Sequence, residues 1–503
     1  MVGEANHPRG EGVSFPMAHA PTLSKSRFIA GWQCPKLLWW KVNEPLAPEL
    51  QPDKVLQDLF DQGRQAGEQA RLRFPGGVLI EVPHHAVVER IAATAAALGA
   101  GASAIFEASF VAGDLLVSVD VLERTAEGFT LIEVKAATSV KDEHIPDAAI
   151  QAWVVRGAGV PVNRVEIMHL NTDFRHPDLG ELFLRKDVTE LVNEFLPLVP
   201  SMVEAQLQVL TGILPERTIG LHCSEPRECP FYDRCWPADP QHISRLYNVG
   251  PKKSAVYMNQ GINRIPDLPS DTRLPEVARR QVRALRENKL IVEPTLARAL
   301  APFESPLGYL DFETVSRAIP VWGGLGPWRA AIAQFSYHEG QSDGSYRHVG
   351  YLAEGPEDPR RELALAMLAA TAGARRIVTY SAYEKTRIRE LQDTVPDLAD
   401  PLEELLGKLV DLLPVVRNHV YHPDFLGSFS LKYILTPLVP DLTYKDLVIV
   451  DGMLASVEIA RLLFVAHKIP VAERDQLRQD LLAYCERDTW ATVRLMQRLR
   501  ELA

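Results

Sequence analysis

The chain has 503 residues, 46% of them hydrophobic and 24% charged, with a net charge of −11 at pH 7. That length and apolar content predict a soluble globular protein of two or three domains, and no apolar run approaches the roughly 20 residues that cross a bilayer. The acidic balance excludes non-specific phosphate binding by overall charge, so any nucleic-acid contact must come from local basic patches.

Residues 1–20 are rich in Gly, Pro and His and predict a flexible start without the segments of a secretory signal, so the expected location is the cytoplasm. Five cysteines, unevenly spaced, argue against a disulfide framework and favour metal binding. Strands are expected at 103–110, 114–124 and 129–137, then a helix near 145–157 and a strand at 164–171, an order that predicts an α/β core. Residues 247–269 read as helix, turn, helix, with Gly250 and Gly261 as stops. A second α/β unit opens after the Pro-flanked joint at 292–306, with strands at 307–313, 329–338 and 375–381 and a long final helix from about 476.

Asp120 lies in one predicted strand, and Glu133 and Lys135, two apart, project from one face of the next. A hairpin turning at Glu127 and Gly128 brings Asp120 to that face. Two carboxylates and an ammonium suit phosphodiester cleavage assisted by Mg²⁺ or Mn²⁺, with Lys135 orienting the attacking water or offsetting developing charge. The plain alternative is a solvated strand face. The run VDVLER, LIEVKAATSVKD, AIQAWVV resembles the RecB-like branch of the PD-(D/E)XK nucleases. The resemblance implies a restriction-endonuclease-like domain over residues 21–240, with Asp120 and Glu133 as metal ligands, Lys135 as the motif lysine and Gln151 as the glutamine of the following helix. Glu107 is an accessory ligand or an ordinary strand residue. RecB-like members usually carry a histidine on an early helix, and FDQGRQAGEQA (60–70) has none.

A subset of that branch closes the nuclease domain with an iron–sulfur cluster, one cysteine before the core and three after it. Carried over, this implies Cys34, Cys223, Cys229 and Cys235 as the four thiolates of a structural [4Fe–4S] cluster. The alternatives are a zinc site or cysteines buried as small apolar residues. Zinc modules commonly carry closer cysteine pairs than the five-residue gaps between Cys223, Cys229 and Cys235. Cys485 reads as a core thiol.

In the second unit, Asp311 and Glu313 share one face of a strand, Glu384 stands at a strand-to-helix junction, and Tyr484 and Asp488, four apart, share a helical face. Four such carboxylates suit a metal pair about 3.5–4 Å apart. The alternatives are a surface strand for the first two and core packing for Tyr484. Over about 305–500 this order resembles the DnaQ-like 3′-5′ exonucleases of the RNase H-like fold, which implies that Tyr484 orients the nucleophilic water; Glu384 stands where the family has Asp, and Asp411 is a possible accessory acid.

Arg279, Arg283 and Arg286 fall at helical spacing and, with Lys252 and Lys253, form a candidate ledge for phosphates or a solvated face. YNVGPKK is faintly similar to a helix-hairpin-helix turn, with one glycine where two are usual, inside an expected helical connector over 241–300. The whole chain resembles a bacterial family carrying the same fusion, which implies a DNA nuclease of repair, recombination or defence that acts on single-stranded ends. The rival expectations are a nucleic-acid-binding or assembly protein with one inactive nuclease domain, and an RNA exonuclease.

Overall fold

The computed structural model describes residues 23–503, so the segment expected to be flexible, 1–20, lies outside the described residues. The chain is mixed α/β and divides into two units, the first ending at Arg234 and the second running Cys235–Ala503. Among the described residues no helix is long and apolar enough to cross a membrane.

The first unit opens with helices α1 (Lys25–Gln33) and α2 (Pro35–Asn43). Its sheet has β1 (Ala104–Ala112), β2 (Leu115–Thr125), β3 (Gly128–Lys135), β4 (Val162–Leu170) and β5 (Phe183–Asp187) side by side in chain order, with Val78–Leu79 beside β1. Strand β2 reads LLVSVDVLERT; Leu115, Val117, Val119 and Val121 are buried, so alternation puts Asp120 on the more polar face. Strands β3 and β4 run parallel and are joined through α3 (His144–Gly157), whose residues are nearly all buried against the sheet. The hairpin expected at Glu127 and Gly128 forms, with Thr125 opposite Gly128. Gly128 has φ 146, and a Cβ there would stand 2.4 Å from the Pro161 carbonyl, so only glycine fits.

The second unit begins with helices α4 (Gly250–Asn259) and α5 (Glu276–Glu287), which share a small core of Ile243, Leu246, Ile265, Leu268, Ala278 and Val282. The expected second helix of the 247–269 hairpin is instead a single 3-10 turn, Ile265–Asp267, and the chain becomes α-helical again only at Glu276. Pro266 and Pro269 remove backbone donors there and restrict the residues before them. The main sheet comprises β6 (Leu307–Ser316), β7 (Ala330–Gly340), β8 (Tyr346–Leu352), β9 (Arg376–Thr379) and β10 (Leu409–Asp411) in the order β8-β7-β6-β9-β10. The first three are antiparallel, and β6, β9 and β10 are parallel. Strand β7, AAIAQFSYHEG, is buried on both faces, yet it alternates: Phe335 and Tyr337 enter an apolar core while Gln334, Ser336 and His338 hydrogen-bond to the final helix. Around the sheet lie α6 (Tyr383–Thr394), α7 (Leu431–Leu438), α8 (Gly452–Phe464) and the 32-residue α9 (Val471–Leu502), with α8 and α9 packed on β6.

Candidate active sites

In the first unit the β2–β3 ladder ends at the Val121–Ile132 pair. Beyond it the next β3 amide turns to a side chain: Val134 N–H donates to Asp120 Oδ2 at 2.7 Å. Asp120 and Glu133 therefore stand at the open end of the hairpin, in the next facing positions. Glu133 is enclosed by donors, accepting from Lys25 Nζ at 2.9 Å and Lys135 Nζ at 2.7 Å on Oε1, and from Gln151 Nε2 at 2.7 Å on Oε2. Asp147, one turn before Gln151 on α3, pairs with Lys135 and, at 3.4 Å, with Lys25.

Burial and the Glu133 charge push the Asp120 carboxyl up to about 8. Burial alone would raise Glu133 too, but the Lys135 and Lys25 ammoniums outweigh it and hold that group below the usual carboxylate range. One acid thus keeps its proton while the other is ionised. Glu107 lies across from Asp120 on β1, where the ladder skips from Phe106–Val121 to Ala108–Val119. Its backbone is left-handed, φ 57, and is held there by Arg90, whose guanidinium donates to the Glu107 carbonyl at 3.0 Å and lies 3.9 Å from its carboxylate. Strain of this kind persists only where its surroundings enforce it, here the Arg90 contacts.

The cysteine loop packs back onto α1 and α2. Gln33, next to Cys34, donates through Nε2 to the carbonyls of His222 (2.9 Å) and Arg227 (2.7 Å). Trp40 packs tilted against Phe231 with centroids 4.9 Å apart, and Arg234 lies over both rings while pairing with Glu44 and Glu49. Cys34 and Cys223 are buried, and Cys229 is half-buried. Cys235, also half-buried, is the first residue of the second unit. Among the described residues, no cysteine belongs to a group of three or more donors within 4.8 Å of one another. A tetrahedral zinc site needs sulfurs roughly 3.8 Å apart, and no cysteine group of that spacing is present among the described residues.

In the second unit β6 presents Asp311 and Glu313, and α9 crosses it with Asp488; these three place ligand atoms within 4.8 Å of one another. Burial, then Asp488, Glu384 and Glu313, pushes Asp311 well above the carboxylate range. Glu313 is raised in the same way by burial and Asp488, and Asp488 is raised by burial. Lys432 on α7 is a cation facing them, with Arg487 also acting on Asp488; the Lys432 ammonium contacts the Tyr484 hydroxyl at 3.1 Å and the Val450 carbonyl. Tyr444 donates its hydroxyl to Asp488, and α8 opens at Gly452 beside Glu313. Glu384 is buried at the start of α6 and pushed up to about 7 by burial and Asp411, yet it is not one of the three converging ligands. Asp411 accepts from Leu413 N–H at 2.9 Å, and buried Cys485 packs its sulfur 4.0 Å from Asp311 Oδ2.

The basic ledge is partly spent within the unit. Arg283 pairs with Glu293 at 3.0 Å, and Arg286 donates to the Pro266 and Leu268 carbonyls, tying α5 to the 3-10 turn. Arg279, Lys252 and Lys253 are exposed.

Sequence reasoning missed Asp147, although its four-residue spacing to Gln151 was readable. It also missed Lys25, Lys432 and Tyr444, which carry no local signal. The profile of a family described as Domain of unknown function (DUF2779) matches residues 308–430, a span that contains Asp311, Glu313, Glu384 and Asp411. No curated protein matches the chain.

Proposed function

We propose that the chain is a metal-dependent nuclease that hydrolyses phosphodiester bonds of DNA, with single-stranded ends as the substrate. In this reading the second unit is a DnaQ-like exonuclease of RNase H-like fold and the first is a RecB-like PD-(D/E)XK nuclease with a [4Fe–4S] cluster on Cys34, Cys223, Cys229 and Cys235. The observation that carries it is the convergence of Asp311, Glu313 and Asp488 within 4.8 Å. Three converging acids whose pKa values burial raises, with Asp488 adding to the rise at Asp311 and Glu313, are costly to ionise unless a cation offsets them, so the donor set fits Mg²⁺ or Mn²⁺. Such an ion supplies polarisation of a phosphoryl oxygen and a more acidic water.

The remaining chemistry belongs to the side chains. Lys432 fixes the Tyr484 hydroxyl, which then orients an attacking water toward the phosphorus. In the first unit Asp120 and Glu133 are the metal ligands. Lys135 and Lys25 set two ammonium groups where negative charge builds on the phosphate, and Gln151 and Asp147 keep Glu133 and Lys135 in place.

The test is degradation of labelled single-stranded DNA, double-stranded DNA and RNA of one sequence by the full chain with Mn²⁺. Asp311→Ala and Lys135→Ala assign any cutting to a unit; cutting that neither substitution alters overturns the reading. Faster loss of RNA points to an RNA exonuclease. A second reading, a nucleic-acid-binding or assembly protein with one inactive unit, is favoured by one observation: both Glu133 oxygens are already bonded, to two lysines and a glutamine. Cutting abolished by Asp311→Ala alone supports it.

A further inference from the structure

A second group of metal-competent side chains lies on the same unit, one strand from Asp311. His338 of β7 and His348 of β8 are directly opposed in the antiparallel ladder, so both rings project from one face, with centroids 4.5 Å apart. Glu486 of α9 completes the group, and one ligand atom from each residue lies within 4.8 Å of the other two. His338 is buried, whereas the His348 side chain is 30% exposed and that of Glu486 51%, so the group is open to solvent on one side.

Hydrogen bonds beneath the rings engage one nitrogen of each: His338 Nδ1 lies 2.8 Å from the Thr489 hydroxyl, His348 Nε2 lies 2.9 Å from the Ser336 hydroxyl, and the two hydroxyls are 2.8 Å apart. That leaves His338 Nε2 and His348 Nδ1 for a ligand, and His348 Nδ1 faces Glu486 Oε1 at 3.7 Å.

We propose that His338, His348 and Glu486 bind a first-row transition-metal ion, with Zn²⁺ the best match, at a site separate from the carboxylate cluster. Two neutral imidazoles and one carboxylate are a zinc-type donor set, unlike the all-oxygen set that suits Mg²⁺. Ser336 and Thr489 play the part of the outer hydrogen-bond partners that hold ligating histidines in orientation. Bound there, the ion clamps edge strand β8 to β7 and to the helix that bears Tyr484 and Asp488. The proposal does not depend on the nuclease reading.

The test is Zn²⁺ binding to the full chain, stripped with chelator under anaerobic conditions and titrated in competition with a chromophoric zinc chelator. The proteins compared are wild type, His348→Ala, Glu486→Gln and Asp311→Asn. The expected result is one equivalent of Zn²⁺ that Asp311→Asn retains and that His348→Ala weakens by more than about 100-fold, since even loss of an outer partner costs about 10–100-fold. Zn²⁺ should also raise the melting temperature of wild type but not of Glu486→Gln, an exposed helix substitution that leaves the fold intact. Equal zinc affinity and stoichiometry in wild type, His348→Ala and Glu486→Gln would overturn the proposal.

Discussion

The Asp120 carboxyl accepts the Val134 amide at 2.7 Å, immediately past the last backbone pair of the β2–β3 hairpin. The bond holds one acid at the open end of the ladder, beside Glu133.

That placement sets a pH dependence. The Asp120 carboxyl, raised to about 8, binds a proton in the folded metal-free chain that the unfolded chain releases near 4. Stability from this group is therefore full below about pH 4 and is lost as pH rises toward 8. Melting temperatures in EDTA should fall between pH 5 and 8, and less steeply for Asp120→Asn. An identical slope in both proteins would contradict the assignment.

Lys25 and Lys135 share one Glu133 oxygen. Replacing Lys25 with Met leaves Lys135 and Gln151 on Glu133, so the cost should be about 2 kcal/mol, typical of one hydrogen bond to a charged group. Denaturant unfolding of the variant measures it, and an unchanged midpoint would remove Lys25 from the site.

Stability and activity should move in opposite directions at Asp311. Asp311→Asn removes a buried acid that Asp488, Glu384 and Glu313 oppose. The metal-free variant should melt higher by ~2–4 °C, equivalent to ~1 kcal/mol in a unit of this size. Its Mn²⁺-dependent cutting should fall at least ~100-fold, because a metal ligand is gone. Thermal scans in EDTA and a nuclease assay give both readings; a lower melting temperature in EDTA would contradict the proposed repulsion.

Tyr484→Phe deletes the hydroxyl that Lys432 contacts at 3.1 Å and leaves the ring in the core. Stability should drop by about 1 kcal/mol and exonuclease turnover by about 100-fold with KM little changed. Steady-state kinetics on single-stranded DNA decide between this role and plain packing.

Gln33 is the clasp between α1 and the cysteine loop. On the proposed cluster, wild type purified anaerobically should hold about four irons per chain, and Gln33→Ala should lower that iron content and the visible absorption. Iron retained at wild-type level would show that other contacts hold the loop.

Much of this molecule was legible from local periodicity. The strand expected at 114–124 runs Leu115–Thr125, the helix near 145–157 runs His144–Gly157, and the final helix begins five residues early, at Val471. Two-residue spacing placed Glu133 with Lys135 and Asp311 with Glu313, and four-residue spacing placed Tyr484 with Asp488, because strand and helix repeats are properties of the backbone alone. The 3-10 turn at Ile265–Asp267 was misread as a helix because two prolines override a short apolar pattern.

What tertiary structure decided is which distant side chains meet. Lys25 reaches Glu133 across 108 positions, and Lys432 reaches Tyr484 across 52, distances over which no periodicity acts. His338 opposes His348 only because the β7–β8 register pairs them, and a slip of one residue would turn one ring to the other face. The sequence by itself set the repeats that make each strand and helix. Burial and register, which depend on the whole folded chain, determined which charges face one another and which keep their protons.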